Sequence, residues 1–120
     1  MADAVAKSDV LKANDAFYDA VRAGDFVRLD DLLSRQRKIS VVHPGWAGLS
    51  GREDVLASWV EIFVAGNAPD VWPIDEQVIM SRNSALVYCT EIVGENRLSA
   101  TNVFVREGDA WRMTQHMAFG

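Results

Sequence analysis

The sequence predicts a single α+β domain, and three observations support this. Apolar residues in the first half of the 120-residue chain recur at spacings of three and four, the period of a helix. From Val71 onwards the apolar residues form extended runs separated by three short turn sequences. Helices first and strands afterwards is the order of an α+β fold, and the length leaves room for one domain.

The first helix is predicted from about Ser8 to Ala23, after a flexible tail over residues 1–7. Gly24 should end this helix as a residue with left-handed backbone, and Asp25 can accept a hydrogen bond from the first turn of the next helix. One face of the second helix carries four apolar residues: Phe26, Leu29, Leu32 and Leu33. Residues 8–120 are therefore expected to fold together.

The third helix is predicted after Ser50, because the spacing of Ser50 and Glu53 is that of a capping box. Gly66-Asn67 should close the helix, and Pro69 confirms the stop. An apolar stripe along this helix consists of Val55, Trp59, Ile62 and Phe63.

A short strand, Ile39–Val42, is predicted between the second and third helices, and the turn His43-Pro44-Gly45 ends it. Four longer strands are expected at residues 71–81, 85–93, 97–106 and 110–118. The three connections between them are tight, which indicates an antiparallel meander, since parallel strands need long crossovers.

The strand Ala85–Val93 is apolar on both faces. Such a strand fits a sheet that packs helices on one face and another subunit on the other. We therefore expect a homodimer.

Composition excludes several classes of function. The net charge is −5 with dispersed basic residues, which argues against nucleic acid as a partner. No run approaches the roughly 20 apolar residues of a membrane span, and the start lacks a signal peptide, so a cytoplasmic protein without a membrane partner is expected. Cys89 is the one cysteine, in an apolar run that favours a structural role. No paired Cys or His motif exists, so we expect no metal and no cofactor.

Two histidines could carry chemistry. His43 ends a strand beside a rigid turn, three residues before Trp46, and an imidazole there could act as a general base or bond a loop carbonyl. His116 alternates with Arg112 and Thr114 in the last strand. Its side chain could line a pocket, or face water or a dimer partner.

Tyr18 and Asn102 fall at apolar positions. Tyr18 lies on the apolar face of the first helix, and its hydroxyl needs a partner if buried. Asn102 shares a strand face with Phe104, so its amide must bridge other groups or contact a ligand. Glu91 also interrupts an apolar strand and could pair with a basic residue.

The order of short motifs resembles the NTF2-like superfamily, especially its SnoaL-like branch. The motifs span nearly all of residues 10–118: Phe17-Tyr18, Ala23-Gly24-Asp25, His43-Pro44-Gly45-Trp46, Leu49-Ser50-Gly51-Arg52, Thr101-Asn102-Val103-Phe104 and Trp111-Arg112-Met113 before His116. The resemblance implies a cystatin-like, cone-shaped half-roll, in which the N-terminal helices pack on a strongly bent antiparallel sheet, and usually a dimer.

Ketosteroid isomerase, a member of this superfamily, is similar in three positions. Tyr18 has the place of its tyrosine before Gly-Asp. His43 stands where that enzyme has its aspartate base before proline, and Asn102 stands where it has a protonated aspartate two residues before phenylalanine. The resemblance implies His43, Tyr18 and Asn102 as catalytic residues.

The function predicted from these residues is a pocket for a small apolar ligand, with proton-transfer chemistry of the isomerase, cyclase or dehydratase type on a carbonyl compound. His43 would move the proton, while Tyr18 and Asn102 would hold an oxyanion. Ligand contacts are expected from Trp46, Trp59, Phe104 and His116. The alternatives are a non-catalytic ligand-binding protein and an oligomeric assembly module of the same fold.

Overall fold

The computed structural model describes residues 2–66 and 68–120. In this part of the chain the elements are, in order, α1 (Ala2–Ala23), α2 (Phe26–Leu32), β1 (Ser40–Val42), β2 (Leu49–Ser50), α3 (Arg52–Val64), β3 (Val71–Met80), β4 (Ser84–Val93), β5 (Asn96–Glu107) and β6 (Ala110–Phe119). Three helices precede the long strands, so the predicted α+β class is confirmed.

The sheet has six strands in the order β2-β1-β6-β5-β4-β3, and it is curved and open. Strands β3 to β6 form the predicted antiparallel meander. Two features were not predicted: β1 pairs in parallel with β6, and the two-residue strand β2 pairs with β1. The register shifts in the β3–β4 and β5–β6 pairs, and such irregularities bend a sheet.

The start of α1 was predicted wrongly. The helix begins at Ala2, so residues 2–7, predicted to form a tail, are helical. Ala4, Ala6 and Lys7 all favour helix, and Asp3 in the first turn interacts favourably with the helix dipole. These local preferences extend the helix although no apolar stripe marks its first two turns.

The end of α1 was predicted correctly. Gly24 has the left-handed backbone (φ 62°), and Asp25 accepts a hydrogen bond from the backbone N–H of Arg28 at the start of α2. The positive φ at Gly24 lets the chain turn sharply from α1 into α2.

The predicted capping box of α3 is absent. The N-terminal cap of the helix is Gly51 (φ 95°), which makes no side-chain hydrogen bond to the first turn. Ser50 cannot fill this role because it is paired with Ser40 in the sheet. At the other end the helix stops at Val64 before Gly66, and the predicted closing residue Asn67 lies outside the described residues.

The predicted face of α1 is buried, and it packs with α3 against the concave side of the sheet. It consists of Val10, Asn14, Phe17, Tyr18 and Val21. None of the helices in residues 2–66 and 68–120 is long and apolar enough to cross a membrane.

Candidate functional site

A cavity of about 500 Å³ opens between α1, α3 and the concave face of the sheet. This size suits a small-molecule ligand. Its walls are largely apolar, with Phe17, Val21, Trp46, Trp59, Ile62 and Val93 among the lining residues. Ionisable side chains among the lining residues are Tyr18, His43, Glu91, His116 and Arg97, of which Arg97 is exposed.

Five of the seven predicted site residues line this cavity, namely Tyr18, His43, Trp46, Trp59 and His116. The other two, Asn102 and Phe104, are buried behind the wall at 0% and 1% exposure. Phe104 pairs with Ala85 in the sheet and belongs to the apolar core. The sequence could place it on the inner face but could not tell how far along the sheet the cavity extends.

His43 is fixed in orientation by α3. Its Nε2 lies 2.9 Å from Ser58 Oγ, and the hydroxyl of Ser58 donates to the carbonyl oxygen of Val55 at 2.6 Å. Because that proton is already committed, Ser58 accepts from His43, which places the proton of His43 on Nε2. The Nδ1 atom keeps its lone pair.

Trp46 and Trp59 enclose His43, with ring centroids 4.8 and 4.6 Å away in edge-to-face contact. Burial lowers the pKa of His43 to about 4, so the imidazole is neutral near pH 7. Of the two tryptophans, Trp59 is buried and Trp46 is 39% exposed at the rim.

His116 is turned into the cavity by an irregularity in β6. Met113 pairs with Phe104 and Gln115 pairs with Val103, so Thr114 is an extra residue in the strand. The extra residue moves His116 to the face of Met113, rather than the face of Thr114 that strict alternation predicts.

The ring of His116 is 6% exposed and packs on Phe17, with ring centroids 4.9 Å apart. Its Nδ1 lies 2.6 Å from Asn102 Oδ1. Burial, with a contribution from nearby His43, lowers the pKa of His116 to about 3. Both imidazoles in the site are therefore neutral near pH 7.

Glu91 is the main residue that sequence reasoning did not place in the site. Glu91 is 4% exposed, and the hydroxyl of Tyr18 donates to its Oε2 at 2.7 Å. Burial raises the pKa of Glu91, while the bond from Tyr18 partly offsets this. The alternation of side chains along the strand could have indicated its position, since Glu91 lies on the same inward face as Val87 and Cys89.

Glu91 Oε2 lies 3.8 Å from His116 Nε2. The distance would suit an ion pair, but burial opposes a charge on either group, lowering the pKa of His116 and raising that of Glu91. We therefore describe the contact as a neutral imidazole beside a carboxyl group, and both residues line the cavity.

Tyr18 and Asn102 do not form a pair of donors aimed at a ligand. The hydroxyl proton of Tyr18 goes to Glu91, and the amide of Asn102 donates to Tyr18 at 3.0 Å and to Asn14 at 2.9 Å. Burial raises the pKa of Tyr18 far above its usual value, so the phenol stays protonated. The two residues support Glu91 and His116 instead.

Cys89 has a structural environment, since burial raises the pKa of its thiol to about 11. Within the described part of the chain, no three or more His, Cys, Asp or Glu side chains are grouped to hold a metal ion.

The fold and the site together define a class of protein: an α+β half-roll whose curved sheet and helices border a ligand-sized cavity. Residues 10–118 match the model of the SnoaL-like domain family. The chain belongs to this family, within the NTF2-like superfamily.

Solved structures agree with this assignment. A proposed dehydratase of the NTF2-like family from Streptomyces avermitilis is 34% identical, with 93% of each chain covered and a TM-score of 0.85. A protein assigned as a calcium/calmodulin-dependent protein kinase type II association domain, from Thiobacillus denitrificans, is 29% identical, with 89% of this chain and 90% of that chain covered and a TM-score of 0.74.

A protein with a cystatin-like fold from Caulobacter vibrioides is 12% identical, covers 94% of this chain and 87% of that chain, and has a TM-score of 0.80. At this identity the likeness shows the fold alone. A search of curated proteins gives no match.

Proposed function

We propose that this protein is an enzyme of the dehydratase type, acting on a small apolar compound with a hydroxyl group on the carbon β to a carbonyl. The observation that carries the proposal is the buried carboxyl of Glu91, held by Tyr18 at a cavity that also contains two neutral imidazoles. The relative from Streptomyces avermitilis, described as a proposed dehydratase, adds support.

Glu91 is the acid in the proposed reaction. Elimination of water requires a proton for the leaving hydroxyl, and a carboxyl group whose pKa is raised by burial can hold that proton closer to neutral pH. The hydrogen bond from Tyr18 fixes the carboxyl and stabilises the carboxylate that forms when the proton leaves.

His43 is the base. Its Nδ1 has no hydrogen-bond partner among the residues that the structure describes, and the bond to Ser58 fixes the ring. The α C–H bond of the substrate breaks and its proton goes to His43 Nδ1. The electron pair forms the new C=C bond, and the C–O bond breaks as Glu91 protonates the departing hydroxyl.

The two charges produced in this step compensate each other, since an imidazolium forms on His43 as a carboxylate forms on Glu91. The low pKa of His43, about 4, returns its proton to water readily, and Glu91 takes one up before the next turnover. The apolar walls would hold the body of the substrate and exclude bulk water.

The test is turnover of a panel of small β-hydroxy ketones and esters, followed by the absorbance of the conjugated product. Glu91→Gln and His43→Gln should each lower turnover about 10²- to 10⁴-fold. The amide of Gln at position 43 can still donate to Ser58. Glu95→Gln, in the exposed β4–β5 turn, is the matched control and should change nothing. Full activity in Glu91→Gln would disprove the mechanism.

A non-catalytic role is the second candidate, because the relative from Thiobacillus denitrificans is assigned as an association domain. Native mass spectrometry separates the possibilities. A dimer carrying a defined apolar compound supports a ligand-binding function, while a large empty oligomer supports an assembly module.

A homodimer remains part of the proposal. The outer face of the sheet carries Trp72, Ile79, Tyr88 and Phe119, which are 43–59% exposed. Their registers place all four on the same side, and a second copy of the chain would cover them. Tyr88→Glu should shift sedimentation towards the monomer. If the unsubstituted protein sediments as a monomer at all concentrations, the homodimer proposal is wrong.

A cytoplasmic location stays a prediction from the sequence.

A further inference from the structure

A chain of buried hydrogen bonds connects His116 in the cavity to Glu76 on the other side of α1. Asn102 Oδ1 lies 2.6 Å from His116 Nδ1, and Asn102 Nδ2 donates to Asn14 Oδ1 at 2.9 Å. Asn14 Nδ2 then donates to Glu76 Oε2 at 2.6 Å. Asn14 and Asn102 are both 0% exposed, so water does not compete for these bonds.

The donor and acceptor in each of these hydrogen bonds are fixed by the group at the end of the series. An ionised carboxylate can only accept, so Glu76 forces Asn14 to present its NH₂ group to Glu76 and its oxygen to Asn102. Asn102 must then present its NH₂ group to Asn14, and its oxygen is left for His116. A second branch has the same direction, since Asn102 Nδ2 donates to Tyr18, and Tyr18 donates to Glu91.

The consequence falls on the proton of His116. Facing an amide oxygen at 2.6 Å, Nδ1 must carry the hydrogen, so Nε2 carries a lone pair. The opposite form would need Asn102 and Asn14 to turn over together. The amide oxygen of Asn14 would then face the carboxylate of Glu76, and the amide oxygen of Asn102 would face the oxygen of Tyr18, whose hydrogen goes to Glu91. A buried polar group without a matching partner is unfavourable enough to favour the Nδ1–H form over the Nε2–H form by at least about tenfold.

We propose that Glu76 and Asn102 are positioning residues that fix the proton of His116 on Nδ1, and that the resulting Nε2 lone pair makes the site selective for a ligand hydroxyl over a ketone oxygen. The claim about the proton stands on the hydrogen bonds alone. The claim about the ligand rests on the proposed function of the cavity.

The ligand class follows from the spacing of two atoms. Glu91 Oε2 and His116 Nε2 are 3.8 Å apart, so a single oxygen can lie about 2.8 Å from both. A hydroxyl at that point gives its hydrogen to the lone pair of His116 and accepts the proton of Glu91. A ketone oxygen has no hydrogen to give, and it would face the lone pair of His116 directly.

The first experiment measures the ¹⁵N resonances of the His116 ring by NMR, at a pH above the pKa of Glu76 (about 7), where Glu76 is a pure acceptor. Burial raises that pKa, and the nearby Asp15 carboxyl adds to the effect. The unsubstituted protein should show a protonated Nδ1 and an unprotonated Nε2. The reverse pattern would overturn the proposal.

Glu76→Lys replaces the fixed acceptor by a donor, so it should turn Asn14 and Asn102 over and move the proton of His116 to Nε2. Asp109→Lys, in the exposed β5–β6 turn, makes the same change of charge and should leave the Nδ1–H form. Where Glu76→Lys does not fold, Glu76→Gln keeps the size and should populate a measurable fraction of the Nε2–H form. The Nδ1–H form alone in both Glu76 variants would refute the role of Glu76.

The second experiment compares two matched probes, 1-indanol and 1-indanone, by titration against the ¹⁵N signal of His116 Nε2. The alcohol should bind at least about tenfold more tightly to the unsubstituted protein, and Glu76→Lys should abolish or reverse the preference. Equal affinities, or no response to either probe, would refute the ligand selectivity. Neither experiment uses turnover, so a failure here is distinct from a failure of the dehydratase proposal.

Discussion

The interior of this molecule has two ends of opposite chemistry. At one end the fully buried side chains of Leu29, Phe104 and Met113 are apolar and belong to the core. At the other end Asn102 and His116 are equally buried but bonded to each other. The same two strands supply both ends, since Asn102 and Phe104 lie two residues apart on β5.

The difference separates stability from function. A fully buried large apolar side chain stabilises a fold by about 1.5–3 kcal/mol, whereas a buried hydrogen bond contributes about 0.5–1.5 kcal/mol net and is costly if left unmade. The polar end is therefore the weaker contributor to stability, and its presence is explained by the groups it holds at the cavity. Four predictions test this division.

The largest effect is expected at the apolar end. Phe104→Ala should lower the free energy of unfolding by about 3–5 kcal/mol, because it opens a cavity in packed core. Phe104→Leu should cost less, and denaturant unfolding measures both. Ligand affinity of the folded fraction should not change, since Phe104 is outside the cavity wall. A loss of affinity with little loss of stability would contradict the assignment.

At the polar end, Tyr18→Phe should lower the free energy of unfolding by about 1–3 kcal/mol, because Glu91 loses a donor and Asn102 loses an acceptor. Turnover should fall as well, since the carboxyl loses its support. Calorimetry and the dehydration assay together measure this pair of effects. An effect on stability alone would place Tyr18 with the core rather than with the site.

The pH dependence of turnover distinguishes the two proposed catalytic groups. Activity needs His43 neutral, so it should fall as the pH drops through the pKa of His43, about 4. It also needs Glu91 protonated, so it should fall as the pH rises through the pKa of Glu91, which lies above its ordinary value. Each limb should change about tenfold per pH unit. A rate that only rises from pH 5 to 8 would exclude Glu91 as the acid.

The smallest effect is expected at Glu76, which borders the polar end from outside. Its pKa is raised to about 7 in the folded protein, chiefly by burial, so the folded state binds more protons there than the unfolded state. The ordinary pKa of a glutamate is 4.5. The unsubstituted protein should therefore gain stability relative to Glu76→Gln as the pH falls from about 7 to 4.5.

The gain at Glu76 should total no more than about 1 kcal/mol across this range, because water screens much of the interaction at this half-buried site. Unfolding measured across that pH range in both proteins gives the difference directly. A difference that grows in the opposite direction would show that burial does not raise the pKa of Glu76.

Much of the fold could be predicted from local patterns. The periods of three and four residues gave the helices, and the turn sequences gave the meander from β3 to β6. Strand β2 was missed because two residues carry no period, and the parallel pairing of β1 with β6 was missed because no local pattern records which distant strand lies alongside. The start of α1 was missed because propensity, rather than an apolar stripe, extends it.

The candidate site was predicted less completely. His43, Tyr18, His116 and two tryptophans were selected by residue type and position, and the cavity contains them all. Glu91 was noticed as an interruption of an apolar strand that could pair with a basic residue. His116 lies 3.8 Å from its carboxyl, and the hydrogen bond comes from the hydroxyl of Tyr18.

The sequence by itself determined the class of fold, the family and the inward face of β5, because periodicity and turn chemistry act over a few residues. Tertiary structure decided the polarity of the site. An extra residue at Thr114 turns His116 inward, and curvature brings β4 and β6 side chains within 3.8 Å although β5 lies between them. Burial then lowers the pKa of both imidazoles and raises that of Glu91, an effect that exists only when distant segments exclude water together.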